Sequence, residues 1–443
     1  MARVLCVDFG STFTKAALVD TDDGALVATG SHPTTPDDIL DGYAAIRETI
    51  GAERVDDVIA CSSAGGGLRL AVVGYERVVT AEAGYRVGLS AGAKVVHVAA
   101  GALSVADVRA LRAARPDVVL LVGGTDGGNA EVLLHNARRL GSGRVPAPVV
   151  VAGNADASAE AAHELVSRGR RAIVTANVLP RIGVLDAEPA RAAIREVFIR
   201  HVIGGKGLSR GPAFAAMVRA ATPDAVLAGV EVLADGAPGV PGVGEVIVVD
   251  VGGATTDVYS VITPTGEDAL LRKEVVQTMW RARTVEGDLG MRWNAPGIVG
   301  AAQAEGLLAV GDPLQEYAER VHAAPSWIPT DPADDAHLAR LAVTVALRRH
   351  ARPAGPASAP RPLRDVRLVV GSGGVLRHND SGLRSDVLSA VITDHGGGWR
   401  VPRSARLAVD ENYVLFAAGL LAGEAPHAAA VLATSGLRSV PCG

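Results

Sequence analysis

One turn is written twice in this chain. Near the N-terminus the apolar run Val4-Leu5-Cys6-Val7 ends in Asp8-Phe9-Gly10-Ser11-Thr12, and the chain resumes as Lys15-Ala16-Ala17-Leu18-Val19. Far downstream Val246-Ile247-Val248-Val249 ends in Asp250-Val251-Gly252-Gly253-Ala254-Thr255-Thr256-Asp257 and resumes as Val258-Tyr259-Ser260-Val261-Ile262. Apolar, β-branched runs on both sides of a polar, glycine-bearing turn predict a β-hairpin at each place. A single such turn satisfies ordinary turn chemistry and says little. Two of them, each opening on an aspartate at a strand end, predict a duplicated architecture with one lobe per hairpin. A third apolar strand, residues 366–370, runs into Gly371-Ser372-Gly373-Gly374 in the second lobe.

The length supports this. A chain of 443 residues exceeds the roughly 250–300 residues at which one hydrophobic core stops growing. Aromatic residues make up 3% of the chain while hydrophobic residues make up 48%, so the cores are expected to be built from Val, Leu and Ala. Between the hairpins, strand-like residues 118–122 alternate with helix-like residues 107–115 and 155–168, the signature of parallel α/β layers. The run Asp235-Gly236-Ala237-Pro238-Gly239-Val240-Pro241-Gly242 punctuates regular structure. The expected organisation is a first lobe at 1–84, an inserted α/β region at 85–240 and a second lobe at 241–443. Residues 352–362, rich in proline, read as an exposed connection, and Asp410 as the N-cap of a helix at 413–421.

Composition excludes several classes. The net charge is −5, so no basic field invites a nucleic acid. The apolar stretches around Ile247 and Leu415 are cut by Asp250 and Glu424 before reaching the ~20 residues that span a bilayer. Met1-Ala2-Arg3 leads directly into a strand, leaving no room for a secretory signal. Cys6, Cys61 and Cys442 have no zinc-ligand spacing, which reads as a reducing, cytoplasmic setting. His97, His135, His163 and His201 lack ligand spacing and read as ordinary hydrogen-bonded side chains. Ser62 and Ser63 have no Gly-x-Ser-x-Gly elbow, which argues against a serine hydrolase.

The hairpins carry the chemistry. Gly10 lets backbone amides approach a phosphate, Ser11, Thr12 and Thr14 add hydroxyls, and Lys15, one of four lysines in the chain, adds a compact cation. Asp8 and Asp250 close equivalent strands. Two carboxylates facing phosphates need a cation between them, and magnesium, which favours oxygen ligands and keeps its waters, suits contact through water.

With those residues in view, the chain resembles the ASKHA superfamily of actin, sugar and acetate kinases and heat-shock ATPases. Asp8 to Lys15 is similar to its first phosphate motif, Val249 to Asp257 to the second, and Val370-Gly371-Ser372-Gly373-Gly374-Val375 to its adenosine motif. The resemblance implies an actin-like ATPase fold of two ribonuclease-H-like lobes closing over Mg-ATP. Gly10, Ser11, Thr12, Thr14, Lys15, Gly252, Gly253, Ala254, Thr255, Gly371, Ser372, Gly373 and Gly374 would hold the nucleotide. Asp8 and Asp250 would be catalytic and face the metal.

Further stretches narrow the resemblance over nearly the whole chain: Ala60 to Leu68, Leu121 to Asn129, Asn177 to Pro180 and Val285 to Met291. Together they resemble the MutL/GlmL family, accessory proteins of adenosylcobalamin-dependent glutamate mutase. What that implies is an ATP-using chaperone that reactivates a mutase, with mutase subunits as partners and slow, Mg-dependent ATP hydrolysis. The Asp-x-His-x-x-Gly pattern that supplies a histidine to cobalt is absent, so the chain is expected to serve a cobalamin enzyme without holding the cofactor. Two other readings share the phosphate clamp, a small-molecule kinase and an actin-like scaffold. The Gly123–Asn129 loop reads as a flexible strand-to-helix connection or as a partner-contacting or second ligand loop. Asp288 reads as a solvated turn residue or as one that approaches the nucleotide. Trp280 and Trp293 read as packing residues.

Overall fold

The computed structural model describes residues 2–35, 37–63, 68–76, 81, 83, 84, 87, 88, 93–182, 184–198, 208, 209, 212–262, 281–352, 361–394 and 401–441. The glycines at 65–67, residue 85 at the start of the expected inserted region, His201, Trp280, Cys442 and the proline-rich residues 353–360 lie outside them.

The predicted N-terminal hairpin is β1 (Arg3–Phe9) with β2 (Phe13–Asp20), and β3 (Leu26–Pro33) continues it antiparallel. β4 (Asp57–Ser62) lies parallel to β1 on its other side. The chain then builds a separate sheet from β5 (Arg69–Gly74), β6 (Lys94–Ala100), β7 (Val118–Leu121), β8 (Val149–Val151) and β9 (Ala172–Val174). These five strands are all parallel, in the order β6-β5-β7-β8-β9. Their near-continuous Val, Ala and Leu content is what a sheet covered on both faces requires. β10 (Val218–Ala221) returns to the first sheet beside β4 and completes the order β10-β4-β1-β2-β3.

After helix Thr222–Asp235, the punctuating Gly-Pro run forms a small hairpin, β11 (Gly236–Ala237) and β12 (Val240–Pro241). The second lobe repeats the first. β13 (Val246–Val251), β14 (Thr256–Val261) and β15 (Arg281–Glu286) are antiparallel neighbours, β16 (Leu368–Ser372) and β17 (Arg406–Asp410) extend β13 in parallel, and β18 (Leu437–Val440) closes the edge. The order β15-β14-β13-β16-β17 is the order β3-β2-β1-β4-β10 over again. That duplication defines the actin-like fold of two ribonuclease-H-like lobes.

Strand alternation places the cores. Ile247, Val249 and Val251 point into the outer core of the second lobe, while Val246 and Val248 point the other way. There they meet Cys6, Ala17, Ile59 and Cys61 of the first lobe in one inter-lobe core. Two helices fill that core, Thr222–Asp235 after β10 and Leu415–Leu421 after β17. They cross backbone against backbone. A Cβ on Gly229 would overlap the carbonyl oxygen of Leu415, and one on Gly419 that of Ala225.

Candidate functional site

Each hairpin turn is closed by the same bond. The Gly10 amide donates to Phe13 O at 3.1 Å, and the Gly252 amide to Thr255 O at 2.9 Å. A Cβ would stand 2.5 Å and 2.9 Å from those same oxygens, so both positions need glycine. Register pairs Asp8 with Lys15 in the first hairpin and Asp250 with Asp257 in the second. The two turns face each other across the lobes: the Thr12 hydroxyl lies 3.8 Å from where a Cβ on Gly253 would sit.

Ser11 and Thr12 are exposed on the first turn, with Gly10 half-buried beside them. Thr34 on the following segment braces this turn, donating its hydroxyl to Gly10 O at 2.7 Å and its amide to Thr12 O at 2.9 Å. Thr14 is separated from the open turn. It is fully buried, its hydroxyl 3.5 Å from that of Thr34. Gly252, Gly253, Ala254 and Thr255 are half-buried on the second turn. Gly371 packs beneath Leu376 and Leu388, and Gly373, at φ 105°, lies so close to the second hairpin that a Cβ would overlap Val251 O. Gly374 is exposed and opens a short helix, Gly374–Arg377.

The parallel neighbours treat the two aspartates alike. Cys61 on β4 stands opposite Asp8, and Ser372 on β16 opposite Asp250. The Cys61 thiol donates to Asp8 Oδ1 at 3.5 Å, and Ser372 hydrogen-bonds Asp250. Burial and the neighbouring Asp8 push the thiol well above its ordinary range, so it stays a protonated donor. Burial pushes Asp250 up to about 6, against the pull of Lys15, with Asp257 and Asp8 pushing the same way as burial. Burial also raises Asp8, while Lys15 and three hydrogen bonds pull it back.

Those bonds come from residues that the sequence did not mark. Besides Cys61, Thr222 Oγ1 donates to Asp8 Oδ1 at 2.5 Å and Tyr413 Oη to Asp8 Oδ2 at 3.3 Å. Lys15 Nζ sits 3.5 Å from the centroid of the Tyr413 ring, a cation–π contact. Arg377 is on the same ring at 5.5 Å and donates to Glu411 O. Thr222 had one local signal, Pro223, a residue favoured at the start of a helix.

Other candidates are placed elsewhere. Asp257 accepts from Arg283 at 3.0 Å and from Thr255 at 3.2 Å. Asp288 is held by both guanidinium arms of Arg349, which also binds Glu286. In the Gly123–Asn129 loop Asp126 accepts from the Ala155 amide and from Asn177, and Asn154 donates to Gly128 O. Trp293 is corrected: it is half-exposed at 50% instead of packed, lying in the turn after β15 with its amide donating to Gly253 O at 2.9 Å and its carbonyl accepting from His322. His97 departs from the expected pattern, its Nε2 buried without a partner. Ser62 donates to Phe9 O inside the first sheet.

Duplicated sheets, each presenting an aspartate-led glycine hairpin to the other across two crossed helices, define a two-lobed protein of the actin-like ATPase fold. Within that class the chain belongs to the MutL protein family, whose model matches residues 4–437. It is 35% identical over 456 residues to Protein MutL of Clostridium tetanomorphum, covering 97% of this chain and 98% of the relative. Among solved structures, acetone carboxylase in its nucleotide-free form matches 95% of this chain and 70% of its own at 14% identity and a TM-score of 0.37. The activator of 2-hydroxyisocaproyl-CoA dehydratase from Clostridium difficile with bound ADPNP matches 98% of this chain and 95% of its own at 9% identity and a TM-score of 0.33. At those TM-scores the fold assignment stands on the sheet topology alone.

Proposed function

We propose that this chain binds Mg-ATP between its two hairpins and uses it, with slow hydrolysis, to reactivate an adenosylcobalamin-dependent glutamate mutase in the cytoplasm. The observation that carries the nucleotide part is the facing pair of hairpins, with Lys15 acting on both the buried Asp8 and the half-buried Asp250, whose carboxyls are both raised by burial. Carboxylates in that condition gain from a divalent cation. No group of three or more His, Cys, Asp or Glu among the described residues is placed to cage a metal, so a cation shared by Asp8 and Asp250 keeps most of its waters, as magnesium prefers. Magnesium supplies charge neutralisation on phosphate oxygens. The chain's own residues supply the rest.

In this reading Gly10, Ser11 and Thr12 offer amides and hydroxyls from the first lobe, and Gly252 to Thr255 do so from the second. Lys15 adds one positive charge. Gly373 seats the third motif against the second hairpin, and the exposed Gly374 leaves room beside it for the adenosine end. The arrangement suits positioning and electrostatic stabilisation, the main protein contributions to phosphoryl transfer. Because each lobe provides one hairpin, filling the gap biases the lobes toward closure, and a partner that prefers one state is remodelled by the change.

The mutase part follows from membership of the MutL protein family and the whole-chain resemblance. Its test is recovery of glutamate mutase after turnover inactivation, with this protein, fresh adenosylcobalamin and Mg-ATP, and with ATP omitted as control. ATP-dependent recovery is expected. ATP binding without recovery would overturn the mutase partner and leave the nucleotide site in place.

A further inference from the structure

Tyr413 occupies a backbone position that a bulky residue rarely takes. β17 ends at Asp410, whose carboxylate accepts from the Val414 and Leu415 amides at 2.8 and 3.2 Å and so caps the inter-lobe helix Leu415–Leu421. To reach that cap the chain turns through Tyr413 at φ 54°, in the left-handed region. Glycine or asparagine would meet the backbone requirement with less strain. A tyrosine stands there, 6% exposed, and its side chain leaves its own lobe.

It makes two contacts in the other lobe, with the paired residues Asp8 and Lys15 of the first hairpin. Its hydroxyl donates to Asp8 Oδ2, and its ring seats the Lys15 ammonium. Burial keeps that hydroxyl protonated and able to donate. The other oxygen of Asp8 accepts from Thr222 and, from its own sheet, Cys61. Thr222 begins one inter-lobe helix and Tyr413 immediately precedes the other, and the two helices cross at Gly229 and Gly419 with no side chain to cushion them. Asp8 is thus held, one oxygen each, from the leading ends of both helices that cross between the lobes.

We propose that Tyr413 is a positioning residue. Its hydroxyl aims the Asp8 carboxylate at the divalent cation, its ring holds Lys15 in the cleft, and movement at Asp8 is passed to the helix crossing. This rests on the Mg-ATP reading above. Tyr413 acts through Asp8, so its effect is tied to the cation and disappears when the carboxylate is removed.

The experiment is calorimetric titration with ATP, in magnesium and in EDTA, of the wild type, Y413F, T222V, D8N and the D8N/Y413F double variant. Amide hydrogen exchange in the nucleotide-free proteins accompanies it. Y413F keeps the ring and the Lys15 seat and loses only the donor. Its Mg-ATP affinity is expected to fall about tenfold, the worth of a hydrogen bond to a charged group, with affinity in EDTA unchanged within roughly twofold. T222V, which removes the hydroxyl donor on the other oxygen and leaves the Cys61 thiol there, should lower Mg-ATP affinity in the same way. D8N/Y413F should bind no more weakly than D8N. Amides of Thr222–Asp235 and Leu415–Leu421 should exchange faster in nucleotide-free Y413F than in the wild type. Wild-type affinity in Y413F, equal losses with and without magnesium, or additive losses in the double variant would each overturn the assignment of Tyr413. A wild type that fails to bind Mg-ATP would instead refute the nucleotide reading, and this proposal with it.

Discussion

Replacing Asp250 by asparagine should stabilise the nucleotide-free protein while abolishing its response to Mg-ATP. Burial raises the Asp250 carboxyl from 3.8 to about 6, a shift of about two units at about 1.4 kcal/mol each, which sets a ceiling near 3 kcal/mol. The residue is half-buried, so solvent screening leaves about 1–2 kcal/mol. Between about pH 4 and 6 the folded state binds more protons than the unfolded chain, so stability falls as pH rises through that window and the full penalty stands above about pH 6. Asparagine carries no such penalty and still accepts a hydrogen bond from Ser372. At about 2–4 °C per kcal/mol for a lobe of this size, the variant should melt about 2–8 °C higher at pH 8 in EDTA, with the difference gone near pH 4. Saturating Mg-ATP should reverse the order, because ligand at 100 times Kd adds about 2.7 kcal/mol to the wild type only. Differential scanning calorimetry at both pH values and in both buffers is the assay. A variant that melts at or below the wild type in EDTA at pH 8 would refute the argument that this carboxylate is held at a cost for a cation.

Asp8→Ala and Asp250→Ala should each depress Mg-dependent nucleotide use by about tenfold or more, read as ATP turnover and Mg-ATP affinity; wild-type turnover in both purified proteins would remove the site assignment. Gly419→Ala should destabilise by about 2–3 kcal/mol in urea denaturation, although alanine in an open helix gains about 1 kcal/mol over glycine, because its Cβ would overlap the Ala225 carbonyl; a neutral or stabilising result would contradict the backbone crossing. Cys6 and Cys61 are fully buried and should resist a thiol reagent in the native protein, labelling only on unfolding, as mass-spectrometric mapping would show.

Much of the frame was legible because it is local. The hairpins announce themselves by β-branched runs around glycine turns; Asp410, read as the N-cap, instead accepts from the amides of the N-cap Val414 and of Leu415. The helix itself starts at Leu415, two residues beyond the expected start, because the Tyr413 turn intervenes. What was illegible is made by distance in the chain. Tyr413 and Asp8 are 405 positions apart, and no local pattern marks the pair. Val218-Arg219-Ala220-Ala221 is too short to announce a strand, and its place in the first sheet is set by pairing with β4. Gly229 and Gly419 look like poor helix residues until the crossing explains them. Trp293 illustrates the converse error: scarcity of aromatics suggested packing, yet the residue stands half-exposed in the turn after β15.

The duplication also shows where the lobes are not interchangeable, and there the chemistry lies. At equivalent positions the first hairpin carries Lys15 and the second Asp257. Asp257 is paired within its own lobe by Arg283, which offsets its charge while it still pushes the Asp250 carboxyl up. What remains between the turns is Asp8 and Asp250 against Lys15, one negative charge in excess in a place where burial raises both carboxyls. A symmetric pair of hairpins would leave either two opposed acids or two opposed cations. Under the proposed Mg-ATP reading, the broken symmetry would give a hydrated divalent cation a seat on the acids and leave the lysine to meet the phosphate oxygens that such a cation brings. Both requirements are met only when the two lobes contribute together, so occupancy of the seat and the relation of the lobes become one equilibrium.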